Sequence, residues 1–271
     1  MIQLCAGPAE LLLAFDGLQA HHEASLNDWC SNLPNTALWA DPVEMTVSLT
    51  SQETSPRYRA RFDAYIDFPD LRWHAASRQL AFTLPASLLR GSCWTMCLAQ
   101  RHALLAGLVA ASQGSDWRCF HAALAILPNG GSVLVIGHSG AGKSTLVRRL
   151  SPDVRGDEIV AIRSCAHGFE ARGTAVPGEL RCHDFSAHPL AAVVLPGHAK
   201  SPEVYLEPLS PSQAMSELLS ATIRFQADAL LDDFDWLDKL VRQVPVARLN
   251  WHLSGELPAL PLQQFLARSL G

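Results

Sequence analysis

Lysine is almost missing from this chain: 271 residues hold only Lys143, Lys200 and Lys239. Acidic side chains outnumber basic ones, 26 to 21, giving a net charge of −5, and no consecutive basic run exceeds Arg148-Arg149. That balance removes the electrostatic case for nucleic acid or an anionic membrane surface as a partner. Long hydrophobic runs are lacking too, since the longest, around Ala103 to Ala111, is too short to span a bilayer. The opening segment MIQLCAGPAELLLAF has no positive start and carries Glu10, which argues against a secretory signal. There is no C-x-x-C among the seven cysteines, an odd number better suited to reduced thiols than to a disulfide framework. Cys93 and Cys97, expected on an apolar helix, and Cys182-His183 with His188 lack the further ligands that a metal centre needs. These absences lead to the expectation of a soluble, cytoplasmic protein.

What is present is one phosphate-binding signature. Val133 to Leu150 reads VLVIGHSGAGKSTLVRRL, an apolar strand running into a glycine-rich loop and then a helix start. Gly137-His138-Ser139-Gly140-Ala141-Gly142-Lys143-Ser144 fits G-x-x-x-x-G-K-[ST] without a mismatch. Gly137, Gly140 and Gly142 let successive backbone N–H groups converge on an anion, and the helix beginning at Lys143 adds its positive dipole end. Lys143 supplies a mobile charge for the β- and γ-phosphates, the Ser144 hydroxyl is placed to ligate Mg²⁺, and Thr145 follows in the same turn. The residues expected to bind nucleotide are therefore Gly137, Ser139, Gly140, Ala141, Gly142, Lys143, Ser144 and Thr145, with ATP and Mg²⁺ as cofactors.

Thirteen residues beyond Ser144 comes Asp157-Glu158, at the expected start of a second strand. Mg²⁺-dependent phosphoryl transfer needs a carboxylate near the metal and a group to take a proton from the acceptor, and this pair could supply both. A surface turn, Arg155-Gly156-Asp157-Glu158, is the competing reading.

Periodicity divides the chain at Gly114-Ser115-Asp116. Residues 1–112 read as an N-terminal α+β accessory region: strands at Met45 to Leu49, Arg59 to Phe68 and Leu80 to Leu84 forming an antiparallel sheet, then a helix from Pro85 to Ser112. Residues 113–271 read as the phosphate-binding domain. A hairpin over Phe120 to Leu127 and Ser132 to Ile136 turns at Pro128-Asn129-Gly130-Gly131, and the helix after the loop is stopped by Ser151-Pro152. Strands follow near Glu158 to Arg163, Leu190 to Leu195 and Val246 to Leu253, with helices from Ser212 to Arg224, from Ala227 to Val241 and at the C-terminus. On the second of these helices Asp228, Asp232, Asp233, Asp235 and Asp238 are expected to form a solvated face, with Phe234 on the apolar side.

The order His121, Gly137 to Ser144, short helix, Asp157-Glu158 resembles the HPr kinase/phosphorylase-like serine kinases over roughly residues 117–253. The resemblance implies a mixed-sheet α/β fold of the phosphoenolpyruvate-carboxykinase-like type. It implies one acid of the pair as proton acceptor, the other holding Mg²⁺ with Ser144, and His121 close to the γ-phosphate. Asp157 is favoured as the essential acid, so the expected catalytic set is Asp157, Glu158, His121 and Lys143, and the expected metal ligands are Ser144 and Asp157. Residues 1–112 do not resemble the N-terminal domain of the HPr-modifying members, and Glu170-Ala171-Arg172-Gly173 competes with Glu179 as a further site element. The closer likeness is to diverged relatives acting on other substrates, including natural-product precursor peptides, and relatives imply a homo-oligomer. The expected function is an ATP- and Mg²⁺-dependent kinase acting on a hydroxyl, with serine of a peptide or small protein favoured. A nucleotide-binding ATPase or assembly module without phosphotransfer, and a small-molecule kinase, are the alternatives.

Overall fold

The computed structural model describes residues 2–5, 10–16, 43–50, 65–66, 72–85, 92–93, 96–176, 178–180, 185–199, 203–225, 230–252 and 262. The N-terminal strands are β1 (Ile2–Cys5), β2 (Glu10–Asp16), β3 (Val43–Thr50), β4 (Tyr65–Ile66), β5 (Arg72–His74) and β6 (Gln79–Pro85). Five of them form a sheet in the order β1-β2-β3-β6-β5. This sheet is mixed, not antiparallel as expected, because β3 runs parallel to both β2 and β6. Long connections separate these three strands, and a long crossover is what parallel pairing requires. Val43, Met45 and Val47 alternate inward with Leu80 and Phe82, while Glu44 and Thr46 face solvent.

The helix expected from Pro85 is shorter. Pro85 closes β6, and β7 (Ser92–Cys93) pairs antiparallel with β8 (Met96–Cys97) before α1 (Leu98–Ser112) begins. Cys93 and Cys97 therefore lie on two short strands. Helical spacing of apolar residues did not outweigh a Gly91-Ser92 step, which is a poor helix interior. Residues 102–112 of α1 are buried throughout, and α1 packs on β3 and β6 as well as on strands of the second sheet.

The second sheet holds β9 (Trp117–Ile126), β10 (Ser132–Ile136), β11 (Val154–Gly156), β12 (Ile159–Cys165), β13 (Gly168–Gly173), β14 (His188–His198), β15 (Tyr205–Pro208), β16 (Thr222–Phe225) and β17 (Val246–Trp251). Its helices are α2 (Lys143–Leu150), α3 (Pro211–Ala221) and α4 (Leu230–Gln243). The β9–β10 hairpin forms as its turn residues predict, with Gly130 at φ 83 and Leu127 N–H donating to the Gly131 carbonyl. Strand β10 has antiparallel β9 on one side and parallel β14 on the other. Because β9 also pairs with β12, β12 with β13, and β13 with β14, the pairings close into a ring. Beyond β14 lie parallel β17 and antiparallel β15.

The two faces of β9 and β10 carry separate cores. Phe120, Ala122, Leu124, Leu134 and Ile136 pack against Ala214 and Leu218 of α3 and Leu237 and Leu240 of α4. Ala123, Ala125, Val133 and Val135 pack against Leu146, Val147 and Leu150 of α2. The result is a mixed α/β layer arrangement.

Several boundaries move. Helix α3 stops at Ala221, and the β-branched Thr222-Ile223 pair joins β9 as β16, which also carries β4. The second strand begins at Ile159, and β13 and β15 are additions to the expected elements. On α4, Asp232 and Asp235 face solvent, but Asp233 is buried between Arg118 and Arg224, and Phe234 is 42% exposed. The helix is thus turned so that one of its acids points inward, towards charges that sequence spacing cannot show. Asp228, the expected C-terminal helix, Cys182-His183 and most of Arg59 to Phe68 lie outside the described residues.

Candidate functional site

Strand β10 delivers the chain to the loop at Gly137, and α2 carries it away. Gly140 and Gly142 take φ of 79 and 91, the left-handed region that side chains disfavour, so the glycines satisfy a geometric need. Gly142 is the cap of α2 and offers no side chain, which leaves the first N–H groups of the helix directed at the loop. Ala141 N–H donates to the His138 carbonyl and tightens the turn. Lys143 is buried, and its Nζ donates to the carbonyls of Gly137 at 2.9 Å and His138 at 3.2 Å. Burial holds its pKa below the ordinary lysine range, opposed by the charges of Glu158 and Asp157. Ser139 and Gly140 are exposed, Ala141 is buried, Ser144 is half-buried and Thr145 is exposed.

The acidic pair sits in the link between β11 and β12. The Glu158 carbonyl accepts from Ala122 N–H on β9, and the next pair in the register is Ile159 with His121. Ile136, the last residue before the loop, pairs with Ala122 of the same strand. Loop, acidic pair and His121 are therefore brought to one level of the sheet. By strand alternation His121 shares the face of β9 that carries Ala123 and Ala125 against α2.

Asp157 is 4% exposed. Its Oδ2 accepts from Leu180 N–H at 2.8 Å, and the backbone N–H of Glu179 also acts on the carboxyl. The Ser144 hydroxyl is close enough to favour the charged form, yet Oδ1 has no hydrogen-bond partner of normal geometry. Burial is the main influence and raises the pKa above the usual carboxylate range, and the Glu179 charge adds to it. Gly178 is what permits this placement, because a Cβ there would lie 2.0 Å from Asp157 Oδ1. Glu158 is also raised, chiefly by burial, with the Arg101 guanidinium opposing. Arg101, on α1, donates through Nη2 to Glu158 Oε1.

Of the two further candidates, Glu179 adjoins Asp157, while Glu170 pairs with Arg163 towards the other end of β12. Arg172 is buried and donates to the Phe185 carbonyl. Sequence reasoning missed Arg101 and Gly178. Nothing local marks Arg101, which lies before the expected boundary, whereas the Pro177-Gly178 dipeptide in the sequence was a signal for the second.

A buried anionic oxygen beside a serine hydroxyl, close to a glycine-rich loop and a lysine, is a donor set for a hard cation and a polyphosphate. Residues 115–255, just over half of the chain, match the AAA ATPase domain family. The chain belongs to the AAA ATPase domain family. Membership in this P-loop family carries nucleotide binding with it, and the matched segment spans the loop, both acids and helices α2, α3 and α4. The AAA ATPase match gives support to the ATPase alternative and none to the specific HPr kinase likeness. No curated protein matches the chain at a significant level. Among the described residues no helix is long and apolar enough to cross a membrane.

Proposed function

We propose that this chain is a Mg²⁺-dependent P-loop phosphotransferase that binds ATP and passes its γ-phosphoryl group to a hydroxyl, with serine of a peptide or small protein as the favoured acceptor. The observation that carries the reading is the buried Asp157, anchored through Oδ2 and lacking a hydrogen-bond partner of normal geometry at the buried Oδ1, beside Ser144. Ser144 and Asp157 would hold Mg²⁺, which when bound neutralises charge on the β- and γ-oxygens. The loop amides and Lys143 bind the phosphates and fix their line of approach. Glu158 Oε2 accepts the proton of the acceptor hydroxyl, while Oε1 is held by Arg101. The chain order His121, loop, α2 and Asp157-Glu158 is the one on which the HPr kinase-like resemblance rests. A divided chain, with residues 1–112 as an accessory region and 113–271 carrying the site, is part of the same proposal.

Hydrolysis to free phosphate is the second reading, and the family membership favours it. Incubation with γ-labelled ATP and serine-containing peptides separates the two. Label in the peptide supports transfer, and label only in free phosphate leaves an ATPase.

A further inference from the structure

The nucleotide site draws one of its charged groups from outside the family-matched segment. Arg101 lies in the first turn of α1, upstream of residue 115, and is ion-paired with Glu158 across 57 positions of sequence. Both partners are largely withdrawn from solvent, at 13% and 17% side-chain exposure. Three carboxylates, Asp157, Glu158 and Glu179, and two cations, Lys143 and Arg101, share this neighbourhood. Among the carboxylates Glu158 exerts the largest charge effect on the Lys143 ammonium, ahead of Asp157.

A phosphate-binding lysine and a carboxylate that can reach it are natural partners, and their pairing would compete with phosphate for the same ammonium. In a poorly solvated pocket such a pair resists separation, because each charge left alone is poorly compensated. A second cation that occupies the carboxylate removes the competitor while keeping it in place. A guanidinium suits this task, since it stays charged at every working pH.

We propose that Arg101 is a positioning residue of the nucleotide site, which holds Glu158 away from Lys143 and so leaves the lysine for the phosphates. The proposal rests on the nucleotide-binding reading above. Helix α1, which carries Arg101, packs on β3 and β6 and also on β9 and β16.

The test is ATP affinity by titration calorimetry on the full chain, in wild type, Arg101→Gln, Glu158→Gln and the double variant. Arg101→Gln is expected to weaken ATP binding about tenfold, the scale of one competing ion pair. Removing the competing charge as well, in the double variant, is expected to restore affinity to within about twofold of wild type while turnover stays low. Equal losses in single and double variants, or unaltered affinity in Arg101→Gln, overturn the proposal. Arg101→Lys keeps the charge and covers the case in which Arg101→Gln folds poorly. Near-wild-type affinity in that variant supports the proposal, and a tenfold loss in a folded sample counts against it. If wild type binds no ATP, the nucleotide reading fails and this one with it. If wild type binds and the variants do not separate, only the role of Arg101 falls.

Discussion

Replacing Asp157 by Asn should make the protein more stable at neutral pH and less able to use magnesium. The carboxylate is 4% exposed, one oxygen accepts Leu180 N–H, and the other has no partner of normal geometry. An amide keeps the acceptor for Leu180 and removes the buried charge, whose incomplete satisfaction costs about 1–3 kcal/mol. Recovering ~1–2 kcal/mol should raise Tm by about 3–6 °C in a chain of this size. The pH dependence fixes the sign. Asp157 has a folded-state pKa above its unfolded value of 3.8, so its favourable contribution exists below that value and is lost as pH rises through the folded pKa. The Asn variant lacks that loss, so its advantage should be present at pH 7.5 and vanish near pH 4. Thermal unfolding without magnesium or nucleotide at the two pH values measures this. A lower Tm for the variant at pH 7.5, or a difference that does not depend on pH, would refute the reasoning.

Two other substitutions probe the same framework. Gly178→Ala places a Cβ 2.0 Å from Asp157 Oδ1, so the carboxylate must retreat by more than 1 Å. A displacement of that size should lower ATP turnover about a hundredfold with little change in fold by circular dichroism. Asp233→Ala leaves the guanidinium groups of Arg118 and Arg224 buried beside each other, having accepted from them at 2.7 and 3.4 Å. Denaturant unfolding should show a loss of about 3–5 kcal/mol, although the residue lies on α4 and is absent from the nucleotide site.

The loop and its helix were legible because their chemistry is local: one strand, eight consecutive residues and a Ser-Pro stop define them. Pairing order was not legible, since nothing within β2, β3 or β6 states that they run parallel. The segment before α1 misled because an apolar residue at helical spacing, such as Met96, also suits a short paired strand. Asp233 read as a surface acid for a similar reason. Its partners Arg118 and Arg224 come from other elements, and the rotation of α4 that exposes Phe234 is set by packing. In the site, Asp157-Glu158 was visible through proximity in sequence, while Gly178 and Arg101 act through contacts 21 and 57 positions away.

In the proposed function Asp157 and the loop form one magnesium–nucleotide site. Its most direct test is ATP affinity with and without Mg²⁺, in wild type and in Asp157→Asn. Magnesium should tighten ATP binding at least about tenfold in wild type, and this gain should disappear in the variant while metal-free affinity is retained. An equal magnesium gain in both proteins would contradict the account.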